Sequence, residues 1–141
     1  MSLDRLLIIT GDASGDLHAA HVVQQLYTQH SGIQINGVGG LNLQAAGINL
    51  IADHSHMGAL GAGIIGAIPY HYGLGKKMIA FAKATQPQAV LLVDYGMFNL
   101  WLAPQLKKLG IRVFYYIPPQ VWASRKGRIR KMQGVVEQVF C

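Results

Sequence analysis

The run Gly11-Asp12-Ala13-Ser14-Gly15-Asp16 directly follows the apolar segment Leu6-Leu7-Ile8-Ile9 and opens an amphipathic segment at Leu17. Strand, tight polar turn and helix is the implied order. In an open α/β sheet, ligands enter the crevice beyond the carboxyl ends of the strands, where backbone N–H groups at a helix N-terminus attract anions. The two glycines permit close backbone approach that a Cβ would block. Gly11, Ser14, Gly15 and Asp16 are therefore candidate ligand-binding residues. The polar side chains of the run could equally serve only to cap the first helical turn, and the hexapeptide alone fits both roles.

Asp94 is the second candidate. It ends the apolar run Ala89-Val90-Leu91-Leu92-Val93 and is followed by Tyr95-Gly96-Met97-Phe98-Asn99. A carboxylate at that edge can take a proton from a hydroxyl, or can close an Asx turn at the strand exit. A third cluster, Pro118-Pro119-Gln120-Val121-Trp122-Ala123-Ser124-Arg125, again follows a strand-like run and opens a basic segment. Trp122 there can wall a sugar or an acyl chain, or serve as ordinary core.

Familiar glycine motifs fail. A Walker A loop needs a lysine after its glycines, yet no lysine or arginine lies between Arg5 and Lys76. The dinucleotide fingerprint needs Gly-x-Gly-x-x-Gly and an acidic residue ending the second strand, where this chain has Gly39-Gly40. Neither nucleotide hydrolysis by that route nor a nicotinamide or flavin cofactor is supported. The net charge of +6 is uneven, with Arg125, Lys126, Arg128, Arg130 and Lys131 close together. Such a cluster suits anionic lipid head groups or phosphorylated small molecules, or forms a solvated helix face. Without zinc-finger spacing or an RNA-binding motif, nucleic acid ranks low.

The elements that must position these residues alternate. Strands are expected at 5–10, 33–38, 48–51, 89–93, 112–117 and 135–140, and helices at 15–29, 41–46, 64–84, 99–109 and 122–132. That is the βαβ pattern of an α/β, Rossmann-like, mostly parallel sheet with helices on both faces. Leu17, Ala20, Val23 and Tyr27 form the expected apolar stripe of the first helix, leaving His18 and His21 to flank the core. Gly32, Gly47 and Gly110 follow helices and suit the left-handed residue that ends them. Gln86-Pro87 stops the third helix, and Pro69 is expected to kink it or delay its start.

At 141 residues and 51% hydrophobic, the chain has the size of one domain with a substantial core. One cysteine permits no internal disulfide, the first residues lack a secretory pattern, and a reducing cytoplasm is the default. Met57 to Tyr70 is apolar but glycine-rich and shorter than the ~20 residues that span a bilayer. The last residues read as a parallel strand with no covering helix after it, so a truncated chain is expected.

These segments together resemble one family, the lipid-A-disaccharide synthases, glycosyltransferases of bacterial outer-membrane biogenesis. Gly11-Asp12-Ala13-Ser14-Gly15-Asp16 is similar to the family's Gly-Glu-Ala-Ser-Gly-Asp, Gly37-Val38-Gly39-Gly40 to its Gly-Ile-Gly-Gly, and Met57-Gly58 to its Val-Met-Gly. Asp94 with Phe98-Asn99 resembles Asp-Ala-Pro-Asp-Phe-Asn, and Pro119-Gln120-Val121-Trp122-Ala123-Ser124-Arg125 resembles Pro-Ser-Val-Trp-Ala-Trp-Arg. The departures are Asp12 for glutamate, Tyr95-Gly96-Met97 for Ala-Pro-Asp, and Ser124 for the second tryptophan.

The resemblance implies the amino-terminal, acceptor-side half of a two-domain GT-B enzyme, with the carboxyl-terminal donor-binding domain outside residues 1–141. It implies transfer from UDP-2,3-diacylglucosamine to 2,3-diacylglucosamine 1-phosphate with inversion, giving the β-1,6-linked disaccharide and UDP, with no cofactor or metal. Asp94 then matches the base, and Gly11, Ser14, Gly15, Asp16, Met57, Asn99, Gln120, Trp122 and Arg125 match substrate-binding positions. A peripheral place on the cytoplasmic face of the inner membrane follows from the lipid substrates. A non-catalytic sugar or lipid-phosphate binding module, and one subunit of a split transferase, are the alternatives.

Overall fold

A computed structural model describes residues 3–11, 13–53, 64–93, 96–116 and 134–140. Six strands, β1 (Arg5–Thr10), β2 (Gln34–Gly39), β3 (Asn49–Asp53), β4 (Ala89–Val93), β5 (Arg112–Tyr116) and β6 (Val136–Phe140), form one sheet in the order β3-β2-β1-β4-β5-β6. Every pairing is parallel, so the sheet is more uniform than the mostly parallel one expected. The helices are α1 (Ala13–Gln29), α2 (Leu41–Ala45), α3 (Ile64–Thr85) and α4 (Gly96–Lys108). The expected helix at 122–132 lies outside the described residues.

The continuous apolar runs in β1 and β4 follow from burial on both sides, because successive side chains point to opposite faces. Leu7, Ile9, Val90 and Leu92 meet Met78 and Ala82 of α3 and Leu102 and Leu106 of α4. Leu6, Ile8, Leu91 and Val93 meet Ala19, Ala20 and Val23 of α1 and Leu43 of α2. The two layers therefore divide the chain: α1 and α2 cover one face, α3 and α4 the other.

Three local expectations are corrected. Leu17 is 45% exposed, while Asp16 is 2% exposed, so the inward stripe of α1 is Asp16, Ala19, Ala20 and Val23. The carboxylate turns inward because it has backbone donors to satisfy there, described below. Next, α4 begins at Gly96 rather than Asn99, which puts Phe98 and Asn99 inside its first turn. Pro69 falls within α3 and does not delay it, since in the second turn its missing N–H removes one hydrogen bond near the helix end.

Helix ends behave as the glycines suggest. Gly47 and Gly110 have φ of 99° and 83°, and each closes the double-bonded left-handed cap that satisfies two orphan carbonyls. After α4, Gly110 N–H donates to Lys107 O at 3.0 Å and Ile111 N–H to Leu106 O at 3.4 Å. Gln86, with φ of 50°, ends α3 ahead of Pro87.

Close approach explains two further glycines. A Cβ on Gly75 of α3 would run into the indole of Trp101 on α4, so the helices meet there only because the side chain is absent. A Cβ on Gly37 would collide with the carbonyl of Ile8, its register partner in β1. At the far edge, Arg112 donates two hydrogen bonds to Glu137, at 2.9 and 3.1 Å, tying β6 to β5. The guanidinium hydrogen bond holds the Glu137 carboxyl below its ordinary range.

Backbone cannot move aside as a flexible side chain can, so Gly37→Ala should destabilise the fold by about 3 kcal/mol. Urea unfolding of the variant beside the parent chain checks this; an unchanged midpoint would mean that β1 and β2 are not held this close.

Candidate functional site

The connections out of β1 and β4 diverge. β1 feeds α1 on one face, β4 feeds α4 on the other, and the two strands are neighbours with Thr10 opposite Val93. A crevice opens at such a switch point, beyond the carboxyl ends of the strands. Gly11 follows Thr10 and is half-buried, and Asn99, in the first turn of α4, is fully buried. Two groups of candidates distant in sequence thus follow the carboxyl ends of neighbouring strands.

On the β1 side, Ser14 and Gly15 lie in the first turn of α1, with Gly15 buried. Asp16 follows them and reaches away from its own helix. Its Oδ1 accepts N–H bonds from Gly40 at 2.8 Å and Leu43 at 3.1 Å, and its Oδ2 accepts one from Asn42 at 2.9 Å. These are donors at the start of α2 that no preceding turn can satisfy, and Gly40 at its N-cap has no side chain to do so. Asp16 therefore caps α2 from across the sheet edge instead of capping α1. A Cβ on Gly39 would collide with Leu43 and come within 3.1 Å of Asp16 Oδ1, so the bare glycine leaves room for the carboxylate.

Thr10 makes a second tie between the same strands. Its hydroxyl, fully buried, donates to the Val38 carbonyl at 3.0 Å. Sequence reasoning had not singled out Thr10, although a hydroxyl residue closing a run of buried aliphatics is a signal that a polar group has found a partner inside. At the same edge of the sheet, exposed His18 of α1 lies with its ring centroid 5.9 Å from that of Tyr116, the last residue of β5. His18 and His21 both stay exposed, flanking the core as expected.

Met57, Asp94, Gln120, Trp122 and Arg125 lie outside the described residues. The residues before them do not: Asp53 closes β3, Val93 closes β4 and Tyr116 closes β5, all at the same edge as Thr10. Among the described residues, no three His, Cys, Asp or Glu side chains gather as a metal site, and no helix is long and apolar enough to cross a membrane.

The lipid-A-disaccharide synthetase family model matches residues 6–141, which spans all six strands and the switch point. The chain belongs to that family. A lipid-A-disaccharide synthase of Syntrophus aciditrophicus is 42% identical over 144 residues, covering 99% of this chain and 37% of that protein. One from Anaeromyxobacter sp. strain K is 42% identical over 139 residues, covering 98% and 36%. One from Nitrosococcus oceani is 38% identical over 133 residues, covering 94% and 34%. The chain thus spans little more than a third of the length of the curated relatives it matches.

Because the Thr10 hydroxyl is buried beside a carbonyl acceptor, Thr10→Val should cost about 1 kcal/mol while leaving the fold intact. Thermal or urea unfolding measures the cost. A variant as stable as the parent would show that this tie contributes nothing to holding the β1 end.

Proposed function

We propose that this chain is the acceptor-side, amino-terminal half of a lipid-A-disaccharide synthase of GT-B architecture, completed in cis or in trans by a donor-binding domain. The observation that carries the reading is the family match across the whole sheet, with family-motif residues ending or following the strands that border one crevice. In this proposal the donor is UDP-2,3-diacylglucosamine and the acceptor 2,3-diacylglucosamine 1-phosphate. Asp94 takes the proton of the acceptor 6-hydroxyl as that oxygen attacks the anomeric carbon of the donor. The new glycosidic bond forms as the bond to UDP breaks, its electron pair leaves on the diphosphate, and the anomeric centre inverts. A positioned carboxylate is suited to that proton transfer.

Gly11, Ser14 and Gly15 border the sugar on the β1 side, and the buried Asn99 backs the site on the β4 side. Gln120, Trp122 and Arg125 close the site after β5, with Arg125 and its basic neighbours drawn to the acceptor phosphate or to anionic head groups. Met57 and the apolar segment after it meet acyl chains at the membrane surface, which puts the enzyme peripherally on the cytoplasmic face of the inner membrane. Met97, standing where the resembling motif has an aspartate, favours one second reading: a binding module that keeps the fold and holds the acceptor without consuming donor.

Asp94→Asn in the protein carrying its donor domain separates the two readings. The expected result is a kcat lower by about 10²- to 10⁴-fold with acceptor affinity within about threefold of the parent. Equal loss of turnover and affinity would make Asp94 structural, and full retained turnover would remove it from the chemistry. The 141 residues by themselves should give no disaccharide above background in the same assay, with product appearing once the donor-binding domain is supplied. Turnover by the isolated 141 residues would overturn the two-domain requirement.

A further inference from the structure

We infer that Asp16 is a positioning residue that holds the turn from Gly11 to Gly15 in place through α2, rather than a residue that touches substrate. The inference rests on the proposed role of that turn at the acceptor side of the crevice. An ionised carboxylate offers about four acceptor positions, and three of those of Asp16 are filled by the N–H groups of Gly40, Asn42 and Leu43 at 2.8 to 3.1 Å. At 2% exposure the side chain has almost no surface left for a ligand.

The same turn is tied at its other end. Thr10, the residue before Gly11, donates to the carbonyl of Val38 at 3.0 Å. Between these two anchors lie Gly11 and the first residues of α1, Ala13 to Gly15. Both anchors end on the same connection, from the end of β2 into α2. Gly39 eases the packing there, because a Cβ on it would collide with Leu43 and press against Asp16 Oδ1 at 3.1 Å. Hydrogen bonds to an ionised acceptor are roughly twice as strong as neutral ones, so Asp16 is the stronger of the two anchors. A start of α1 held at both ends keeps its backbone donors in one arrangement before a ligand arrives, so that less ordering opposes binding of the acceptor.

The test uses the protein with its donor domain and two variants. Asp16→Ala removes all three bonds. Asp16→Asn keeps an oxygen for Gly40 and Leu43 but sets an N–H₂ group against the N–H of Asn42. Hydrogen exchange is read in peptides covering 39–46 and 11–16, and KM for the acceptor and kcat are measured at a temperature where each variant is folded. The expected result for Asp16→Ala is faster exchange in both peptides and a KM raised about tenfold or more, with kcat within about threefold. Asp16→Asn should fall between, and carries the test if the alanine variant does not fold. Faster exchange confined to 39–46 with kinetics unchanged would reduce Asp16 to a cap of α2. A lowered kcat with exchange and KM unchanged would place it at the reacting atoms. Both outcomes overturn the inference. A parent protein that makes no disaccharide would defeat the proposed function alone, since exchange in 11–16 decides the positioning role by itself.

Discussion

Parallel strands buried on both faces must send their connections over the faces of the sheet, and at some pair of neighbours the connections have to part. In this chain that pair is β1 and β4, joined from Leu6 opposite Ala89 to Thr10 opposite Val93. Their alternating side chains divide between two cores, Leu7 and Leu92 facing α3 and α4, Ile8 and Leu91 facing α1 and α2. A slip of one residue in either strand would exchange those sets, so the register is strongly specified. At the strand ends this pairing sends α1 and α4 to opposite faces, which is where a doubly wound sheet opens a crevice.

Polar groups at that edge are used twice over. Thr10 bonds to Val38 near the end of β2, and Asp16 to Gly40 and the first turn of α2, so both ties reach the passage from β2 into α2. This arrangement relieves α2, a helix of five residues, of its unsatisfied first donors. It also removes one carboxylate from the set that could meet a ligand. Turning Asp16 inward also leaves less negative charge exposed at the β1 end.

Away from the crevice, α3 and α4 meet where Gly75 admits the indole of Trp101, and the ring remains 39% exposed beside Phe98 and Tyr72. Lys76 lies over the Tyr72 ring at 4.7 Å. Aromatic rings with a polar handle and a nearby cation suit a surface between apolar and aqueous surroundings.

Periodicity and punctuation were enough to read the strand order along the chain, the apolar runs of β1 and β4, and the glycines that end α2 and α4, because these depend on neighbours within a few residues; Gly32 is left-handed but lies in a turn beyond the end of α1. The turn at Gly11–Gly15 and the family motifs were legible for the same reason. Leu17 was misjudged, and Asp16 with it, because helical spacing cannot know that an inward position will hold a carboxylate whose three partners lie 24 to 27 residues away. The start of α4 at Gly96, the room left by Gly37, Gly39 and Gly75, and the partner of the Thr10 hydroxyl likewise belong to contacts between distant segments. Sequence by itself determined the elements, their order and the chemistry available at the strand ends, all set by local backbone preference and hydrophobic pattern. Only the tertiary structure decided that Asp16 serves α2 and that Gly11 and Asn99 follow the ends of neighbouring strands, because burial and hydrogen-bond satisfaction are settled where segments meet.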